Sequence, residues 1–306
     1  MESKASSPTV NNGGNTPGMI KEFVVGAAGG ITQVIIGQPF DIVKVRMQVQ
    51  ANQSAIQVAR NIWTHEGPLA FYKGSLPPLL GVGACISIVY STYHTITHSI
   101  HSLSPNFSPL TPSQTYFAGG ISGLANSFIS GPTEHIRIRL QTQSQFQSPS
   151  KESRYSGVYD CIRQIYTRAG IRGLYRGHTA TLLREFHSYG IWFSVYEFLR
   201  ANLGTKVQEK KRREETPTWK IASCGIITGL VLWTANYPFD VVKSKMQADG
   251  FGERDRVYKN LWDVVRKTWR GDGWKGFWRG LGPTLVRAVP VSGGTFVVVE
   301  MVRKVV

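Results

Sequence analysis

The feature that most constrains the fold of this 306-residue chain is a ten-residue phrase that occurs three times. Its pattern is Pro-x-acid-x-x-base-x-base-x-Gln, and every specified position is filled in residues 39–48, 132–141 and 238–247. A second phrase follows each copy and ends in aromatic-base-Gly. Its opening glycines are spaced 103 residues apart, at Gly67, Gly170 and Gly273. A long fixed period indicates one structural unit built three times.

Each repeat contains two long, mostly apolar segments that carry few charges. The six segments lie at about 20–48, 75–101, 113–140, 178–202, 218–246 and 281–304. Each exceeds the roughly 20 residues that cross a bilayer as a helix. Polar residues inside them would be costly against lipid, so we expect these residues to face a shared wet cavity. Such a cavity also explains why the mean hydropathy is only −0.15.

The predicted fold is therefore an all-α membrane protein with six transmembrane helices in three pseudo-threefold repeats. Mixed apolar and basic stretches between the helices predict short surface helices at 54–65, 157–168 and 258–270. We expect residues 1–18, rich in Ser, Asn and Gly, to form a disordered tail rather than a cleaved address. The repeats then occupy residues 19–104, 111–205 and 216–306.

The first helix of each repeat opens with two glycines four residues apart. These pairs are Gly26 and Gly30, Gly119 and Gly123, and Gly225 and Gly229. Small residues at this spacing let membrane helices approach each other closely. Each of these helices then reaches the proline of the phrase, where we expect a kink.

The charge and the cysteines limit the classes of partner. A net charge of +16 suits an anionic partner, which is either nucleic acid or an anionic lipid surface. Cys85, Cys161 and Cys224 are scattered singly, which favours neither a disulfide framework nor a zinc site. His94, His98 and His101 share a helical face but have no acidic neighbour, so we expect a wet helix end and no metal or cofactor.

These repeated phrases resemble the mitochondrial carrier family, over essentially the whole chain from about 20 to 304. The resemblance implies six tilted helices around a central cavity and transport by alternating access. It also implies a monomer in the mitochondrial inner membrane, with both termini toward the intermembrane space. A peroxisomal member of the family remains an alternative.

The resemblance assigns the charges of the phrase to a gate on the matrix side of the cavity. Carried over by motif position, the matrix gate consists of Asp41, Lys44, Glu134, Arg137, Asp240 and Lys243. The glutamines that end the phrases would lie beneath it as braces: Gln48, Gln141 and Gln247. Every position is filled, so we expect three salt bridges between repeats.

The resemblance also implies a cytoplasmic gate, but this sequence lacks some of the residues of its pattern. Its retained charges are Glu197, Arg200, Glu300 and Arg303. Repeat one has His94 and Thr97 where the family pattern has an acid and a base. A single full acid–base pair is left, so we expect a weak cytoplasmic gate and a cavity that rests open toward the intermembrane space.

Lipid phosphate is the ligand expected at three glycines that open the second helices: Gly74, Gly177 and Gly280. Free N–H groups at a helix start, beside Lys73, Arg176 or Arg279, suit a phosphate. Cardiolipin, a diphosphate, would fit a basic protein. The alternative is a simple positive anchor at the interface.

The substrate site is predicted where the repeats differ. Seven residues after each helix-opening glycine stand Gly81, Arg184 and Arg287, and Glu185 follows Arg184. These are the family's contact points. Paired arginines would hold a carboxylate, and Glu185 would attract an ammonium group. This pattern is similar to that of carriers of amino acids, ornithine and carnitine or acylcarnitine. The alternative is that Arg184 and Glu185 only neutralise each other, which is disfavoured because adjacent helix residues point about 100° apart.

The sequence is also compatible with other functions. The same fold could carry a carboxylate or keto acid, or could leak protons. A basic nucleic-acid-binding protein would explain the charge but not the repeated phrases or the apolar segments, so we expect no nucleic-acid partner. The chain contains no nucleophile elbow, P-loop or dinucleotide fingerprint, so we do not expect an enzyme.

Overall fold

A computed structural model describes residues 16–49, 53–103, 110–143, 155–202, 218–250 and 256–305. These ranges are helical and contain no β-strand. The α-helices are α1 Thr16–Val49, α2 Ala55–Glu66, α3 Leu76–Leu103, α4 Pro112–Thr142, α5 Val158–Leu174, α6 His178–Asn202, α7 Thr218–Ala248, α8 Leu261–Asp272 and α9 Leu281–Val305. Short 3₁₀ turns, Pro68–Tyr72 and Trp274–Trp278, precede α3 and α9.

The helix positions confirm the six predicted long segments and the three short helices between them. The prolines of the phrase, Pro39, Pro132 and Pro238, lie inside α1, α4 and α7. The predicted tail 1–18 is too long, because α1 already begins at Thr16. Pro17 stands in its first turn, where a missing N–H does no harm. The rest of that tail lies outside the described residues.

The long helices pack into a closed ring. Helix α3 packs on α4, α6 packs on α7, and α9 returns to pack on α1. Each of these contacts joins two repeats. Inside the repeats the packing is unequal, since α4 and α6 make an extensive contact whereas α1 with α3 and α7 with α9 touch only slightly.

The short helices lie against the ends of the long helices that carry the phrase. In repeat two, Ile136 and Leu140 of α4 pack with Cys161 and Ile165 of α5. Equivalent clusters join α2 to α1 and α8 to α7. Burial raises the pKa of the Cys161 thiol to about 12, so this side chain stays protonated and acts as a small apolar group.

The glycine pairs do not act alike in the three repeats. An ideal Cβ at Gly119 would lie 2.5 Å from the Tyr189 carbonyl oxygen, and one at Gly123 would lie 2.3 Å from the Glu185 carbonyl oxygen. Gly225 and Gly229 have no heavy atom within 4 Å. The prediction of close approach is therefore correct for repeat two and wrong for repeat three.

In repeat one the first helix makes a looser contact at the same place. An ideal Cβ on Gly30 would lie 3.8 Å from Val82, which is ordinary van der Waals contact. The surroundings of Gly26, near the start of α1, lie outside the part of the chain that the structure describes. The tight α4–α6 packing thus distinguishes repeat two among the described parts of the three repeats.

Length and composition alone identify one membrane-spanning candidate in the described part of the chain, the helical stretch Pro68–Leu103. The other long helices carry the charges of the phrase or polar residues of the cavity, and these lower their mean hydropathy.

Replacing Gly123 by Ala should destabilise the fold, because the new methyl group meets backbone atoms of α6 that cannot move independently. Overpacking of this kind costs about 1–3 kcal/mol, and the midpoint of thermal unfolding should fall by several degrees. The matched control is Gly229→Ala, at the equivalent position of repeat three, where the space is open. Equal midpoints for the two variants would contradict the assigned packing.

Candidate functional site

The three copies of the phrase bring their charges together at one end of the cavity. Three ion pairs join the repeats in a closed cycle: Asp41 with Arg137, Glu134 with Lys243, and Asp240 with Lys44. The Oδ2–Nη2 distance of the first pair is 2.7 Å, and the Nζ–Oδ2 distance of the last is 2.8 Å. The six residues predicted as a matrix gate therefore lie in three inter-repeat salt bridges.

Two acids of the matrix gate also hold the arginines predicted to bind substrate. Glu134 accepts hydrogen bonds from Nη2 of Arg184 at 2.9 and 3.2 Å. Asp41 Oδ1 lies 3.2 Å from Nε of Arg287. That second contact is an ion pair by distance, since Nε makes no hydrogen bond there. The predicted gate and the predicted substrate site thus share their charges.

Arg184 and Glu185 form an ion pair, although neighbouring helical positions point about 100° apart. Nη2 of Arg184 donates a hydrogen bond to Glu185 as well as to Glu134. The long arginine side chain curls between the two carboxylates, which offsets the angle between neighbouring helical positions. Asn126 of α4 donates a second hydrogen bond to Glu185, at 3.1 Å. Glu185 is 2% exposed, so this carboxylate is buried in a network.

The three predicted glutamine braces behave differently. Gln48 donates to Oδ2 of Asp240 at 2.8 Å and so braces the pair that Asp240 makes with Lys44. Gln247 instead donates to the Thr181 hydroxyl at 3.2 Å. The side-chain amide of Gln141 is buried, and neither its Nε2 nor its Oε1 has a hydrogen-bond partner. In this conformation, contact between a brace and a salt bridge is seen at Gln48 and not at the other two.

Gln38 is a brace that the repeat pattern did not reveal. Its Oε1 accepts a hydrogen bond of 2.6 Å from Arg137, and its Nε2 donates to the Lys73 carbonyl at 2.8 Å. The equivalent positions hold Gly131 and Tyr237. Tyr237 donates to the Arg279 carbonyl, which is the equivalent of the Lys73 carbonyl. The position thus acts in two repeats although its residue type varies, which is why a search for shared residues misses it.

Lys44 has additional support from aromatic rings. Its ammonium group lies 4.5 Å from the ring centre of Trp233 and 5.6 Å from that of Tyr237. Rings in this position attract a cation by roughly 0.5–2 kcal/mol. Gln48 and these two rings therefore support the Lys44–Asp240 pair.

Each helix-opening glycine lies against the ten-residue phrase of the next repeat. Gly74, Gly177 and Gly280 have positive φ angles of 79°, 77° and 90°. An ideal Cβ at Gly74 would lie 3.0 Å from the Arg137 carbonyl oxygen, and one at Gly280 would lie 3.1 Å from that of Lys44. These glycines therefore permit both the turn and close packing of repeats. Their role in lipid binding stays a prediction.

The basic residues beside those glycines already have acidic partners. Lys73 Nζ lies 2.8 Å from Glu66, and Arg279 Nη2 lies 3.1 Å from Asp272. Arg176 instead pairs with Asp249, at 2.5 Å. A phosphate at these helix starts would thus meet bases that are held in place by acids.

The six residues of the matrix gate line part of a cavity of about 490 Å³. Its walls include Gly81, Arg184, Glu185 and Arg287, so the four predicted substrate residues are brought together. The volume lies within the usual range for small-molecule sites, about 300–1,000 Å³. The cavity is therefore large enough for a small metabolite.

Aromatic side chains form part of the cavity wall. Phe193 is 4% exposed and stacks on Tyr93, while Trp192 stacks on Tyr196. These stacked pairs are packed against one another as part of the wall. Among the described residues, no group of three His, Cys, Asp or Glu side chains is arranged to hold a metal.

Of the four charged residues predicted for the cytoplasmic gate, the structure describes the side chain of Glu197. The other three side chains lie outside the described residues: Arg200, Glu300 and Arg303. The weakness of that gate therefore remains a prediction. The matrix gate, by contrast, has all three of its ion pairs formed.

Comparison with known proteins agrees with this architecture. The family model for mitochondrial carrier proteins matches the chain three times, over residues 15–103, 108–207 and 214–306. The glutamate/glycine mitochondrial carrier ymc1 of Schizosaccharomyces pombe is 43% identical over 289 residues, which are 93% of this chain and 94% of the relative. The mitochondrial glycine transporter YMC1 of Saccharomyces cerevisiae is 37% identical, covering 94% and 91%.

A human relative extends the comparison beyond yeasts. The mitochondrial basic amino acids transporter of Homo sapiens is 36% identical over 289 residues, covering 93% of this chain and 90% of the relative. Three matches to one family model coincide with the three repeats read from the sequence. The chain belongs to the mitochondrial carrier family.

Proposed function

We propose that this protein carries an amino acid across the mitochondrial inner membrane by alternating access. The observation that carries the proposal is a cavity in which Arg184, Arg287 and Glu185 face one space directly above the gate. Two guanidinium groups and one carboxylate complement a solute that bears both a carboxylate and an ammonium group. The same side chains are the ones in which the repeats differ.

The relatives support an amino acid over other zwitterions. The yeast relatives are named for glycine and glutamate, and the human relative for basic amino acids. Carnitine and acylcarnitine present the same two charges and are the alternative within this site. A keto acid or dicarboxylate has no cationic group to offer Glu185, so it would use only the two arginines of the site.

In the proposed mechanism, substrate competes with gate acids for the same arginines. A substrate carboxylate that binds Arg287 removes one partner from Asp41, and one that binds Arg184 removes a partner from Glu134. Each loss weakens the matrix gate, because these acids then rely on one base each. Binding is thereby linked to opening toward the matrix, since a ligand shifts a conformational equilibrium by its differential affinity.

The membrane arrangement is part of the same proposal. Six long helices, α1, α3, α4, α6, α7 and α9, would span the bilayer, with α2, α5 and α8 on the matrix surface and both termini toward the intermembrane space. The helix starts at Gly74, Gly177 and Gly280 would bind lipid phosphate, with cardiolipin as the candidate. The ring of helices closes within one chain, which supports a monomer.

Uptake by proteoliposomes tests the substrate. We expect uptake of radiolabelled glycine, glutamate or arginine, and a fall of about tenfold or more in Glu185→Gln, since a charge-assisted hydrogen bond contributes about 1.5–3 kcal/mol. Gln33→Ala, an uncharged change in the same cavity wall, is the control and should keep most of the activity. Exchange of a dicarboxylate with no uptake of any amino acid would refute the proposal.

Competition by methylated analogues separates an amino acid from carnitine. Glycine and N,N,N-trimethylglycine carry the same charges, but the second has no N–H to donate to Glu185. We expect glycine to inhibit uptake of the labelled amino acid at about tenfold lower concentration. Strong inhibition by trimethylglycine and carnitine, with weak inhibition by glycine, would favour the carnitine alternative.

Gly37 tests the sharing of Arg287 between the gate and the substrate. An ideal Cβ on Gly37 would lie 2.6 Å from Nε of Arg287, so Gly37→Ala should displace the guanidinium and leave the backbone intact. We expect a Michaelis constant raised about threefold to tenfold. Gly83→Ala, where the added methyl group meets nothing within 4 Å, is the control. Identical kinetics for both variants would count against the shared site.

A further inference from the structure

The second phrase builds a charged triad in repeats one and three. In repeat one, Glu66 binds Arg46 through both carboxylate oxygens and also pairs with Lys73 at 2.8 Å. In repeat three, Asp272 lies 3.5 Å from Lys245 and 3.1 Å from Arg279. Within a single repeat, the acid of each triad joins the second base of the first phrase to the base of the second phrase.

Repeat two has both bases of the triad but lacks the acid. Its bases are Arg139 and Arg176, and the position of the acid is occupied by Ala169. Both arginines are largely buried, at 8% for the residue Arg139 and 11% for the side chain of Arg176. Buried cations require a partner, because an uncompensated buried charge is strongly destabilising.

Asp249, at the end of α7 in repeat three, receives these two arginines. Arg176 donates to its Oδ2 at 2.5 Å and also to the Gly250 carbonyl oxygen. Arg139 donates to the backbone carbonyl of Asp249. The Asp249 side chain is 1% exposed, which is less than that of any other acid in the described ion pairs.

The remaining hydrogen bonds of Asp249 fix the chain that leads into α8. Its Oδ1 accepts from the Val257 amide at 2.8 Å, and its Oδ2 accepts from the Tyr258 amide at 3.1 Å. In repeat two, Gln143 stands at the equivalent position and accepts from the Tyr155 amide at 2.9 Å. Holding the returning chain is therefore common to both residues, whereas the negative charge belongs to Asp249.

We propose that Asp249 is a positioning residue that replaces the missing acid of repeat two and thereby ties repeat two to repeat three on the matrix side. The symmetric triad would hold Arg139 and Arg176 within their own repeat. Here the acid that pairs with Arg176 comes from the neighbouring repeat, and Arg139 is held by the backbone carbonyl of the same residue. Both contacts lie at the seam that the Glu134–Lys243 gate pair also crosses. The tie opposes separation of these repeats during opening, and this consequence rests on the proposed transport function.

The backbone around Ala169 of repeat two matches the backbone around Asp272 of repeat three. An ideal Cβ on Gly173 would lie 2.6 Å from Cβ of Ala169, and one on Gly276 would lie 2.6 Å from Cβ of Asp272. The two sites therefore have the same local geometry. An aspartate at position 169 should reach both arginines, as Asp272 reaches its two bases.

Three variants separate the charge from the tie: Asp249→Asn, Ala169→Asp and the double variant. Asp249→Asn keeps the size of the side chain and removes its charge, so the midpoint of thermal unfolding should fall by about 5 °C or more. The double variant should recover most of that loss, because the acid is back in repeat two. Asp263→Asn, an acid of α8 paired with the exposed Lys267, is the control and should change the midpoint little.

Amino-acid uptake by the same proteins tests the tie. The double variant leaves the repeats without the Asp249 charge, so uptake should be about threefold faster than in the natural sequence. A midpoint that Ala169→Asp fails to restore would overturn the replacement of the acid. Restored stability with an unchanged rate would overturn the tie. Absence of amino-acid uptake by the natural sequence would instead refute the proposed function, and the midpoints would still report on the acid.

Discussion

The structure depends on the cost of keeping carboxylates inside a bundle of helices. Asp41, Glu134 and Asp240 sit where the three phrases converge, and each needs a cation that another repeat supplies. An ion removed from water costs several kcal/mol unless it is well paired. The cycle closes only when all three repeats are in place, so the same charges that hold the closed state determine where it can open.

Unequal surroundings make the three pairs different from one another. Lys44 and Asp240 have a glutamine and two aromatic rings, whereas Asp41 and Glu134 have arginines from the cavity wall. A substrate that takes those arginines acts on two pairs and leaves the third intact. The repeats provide a symmetric gate, and the residues around it make the response to substrate asymmetric.

Much of this arrangement could be predicted from the sequence. The six apolar segments predicted the long helices and a shared cavity, and the resemblance to the carrier family, which the phrase carries, predicted the gate pairs. Contacts made by unshared residues could not be predicted in this way: Gln38 acts in the gate, Gly37 makes room for Arg287, and Asp249 supplies an acid to another repeat. The pairing of Arg184 with Glu185 is the alternative that the sequence disfavours, because a rule for helical directions ignores the reach of a long side chain.

The central claim is that substrate weakens the matrix gate by competing for Arg184 and Arg287. The direct measurement uses a chain whose natural cysteines are replaced by serine and which carries Gln141→Cys, at a site that is buried beside the gate. An impermeant maleimide is applied from the matrix side of sealed vesicles, with and without saturating glycine. The account predicts faster labelling when glycine is present, because the gate opens more often. Labelling that glycine leaves unchanged or slows would contradict it.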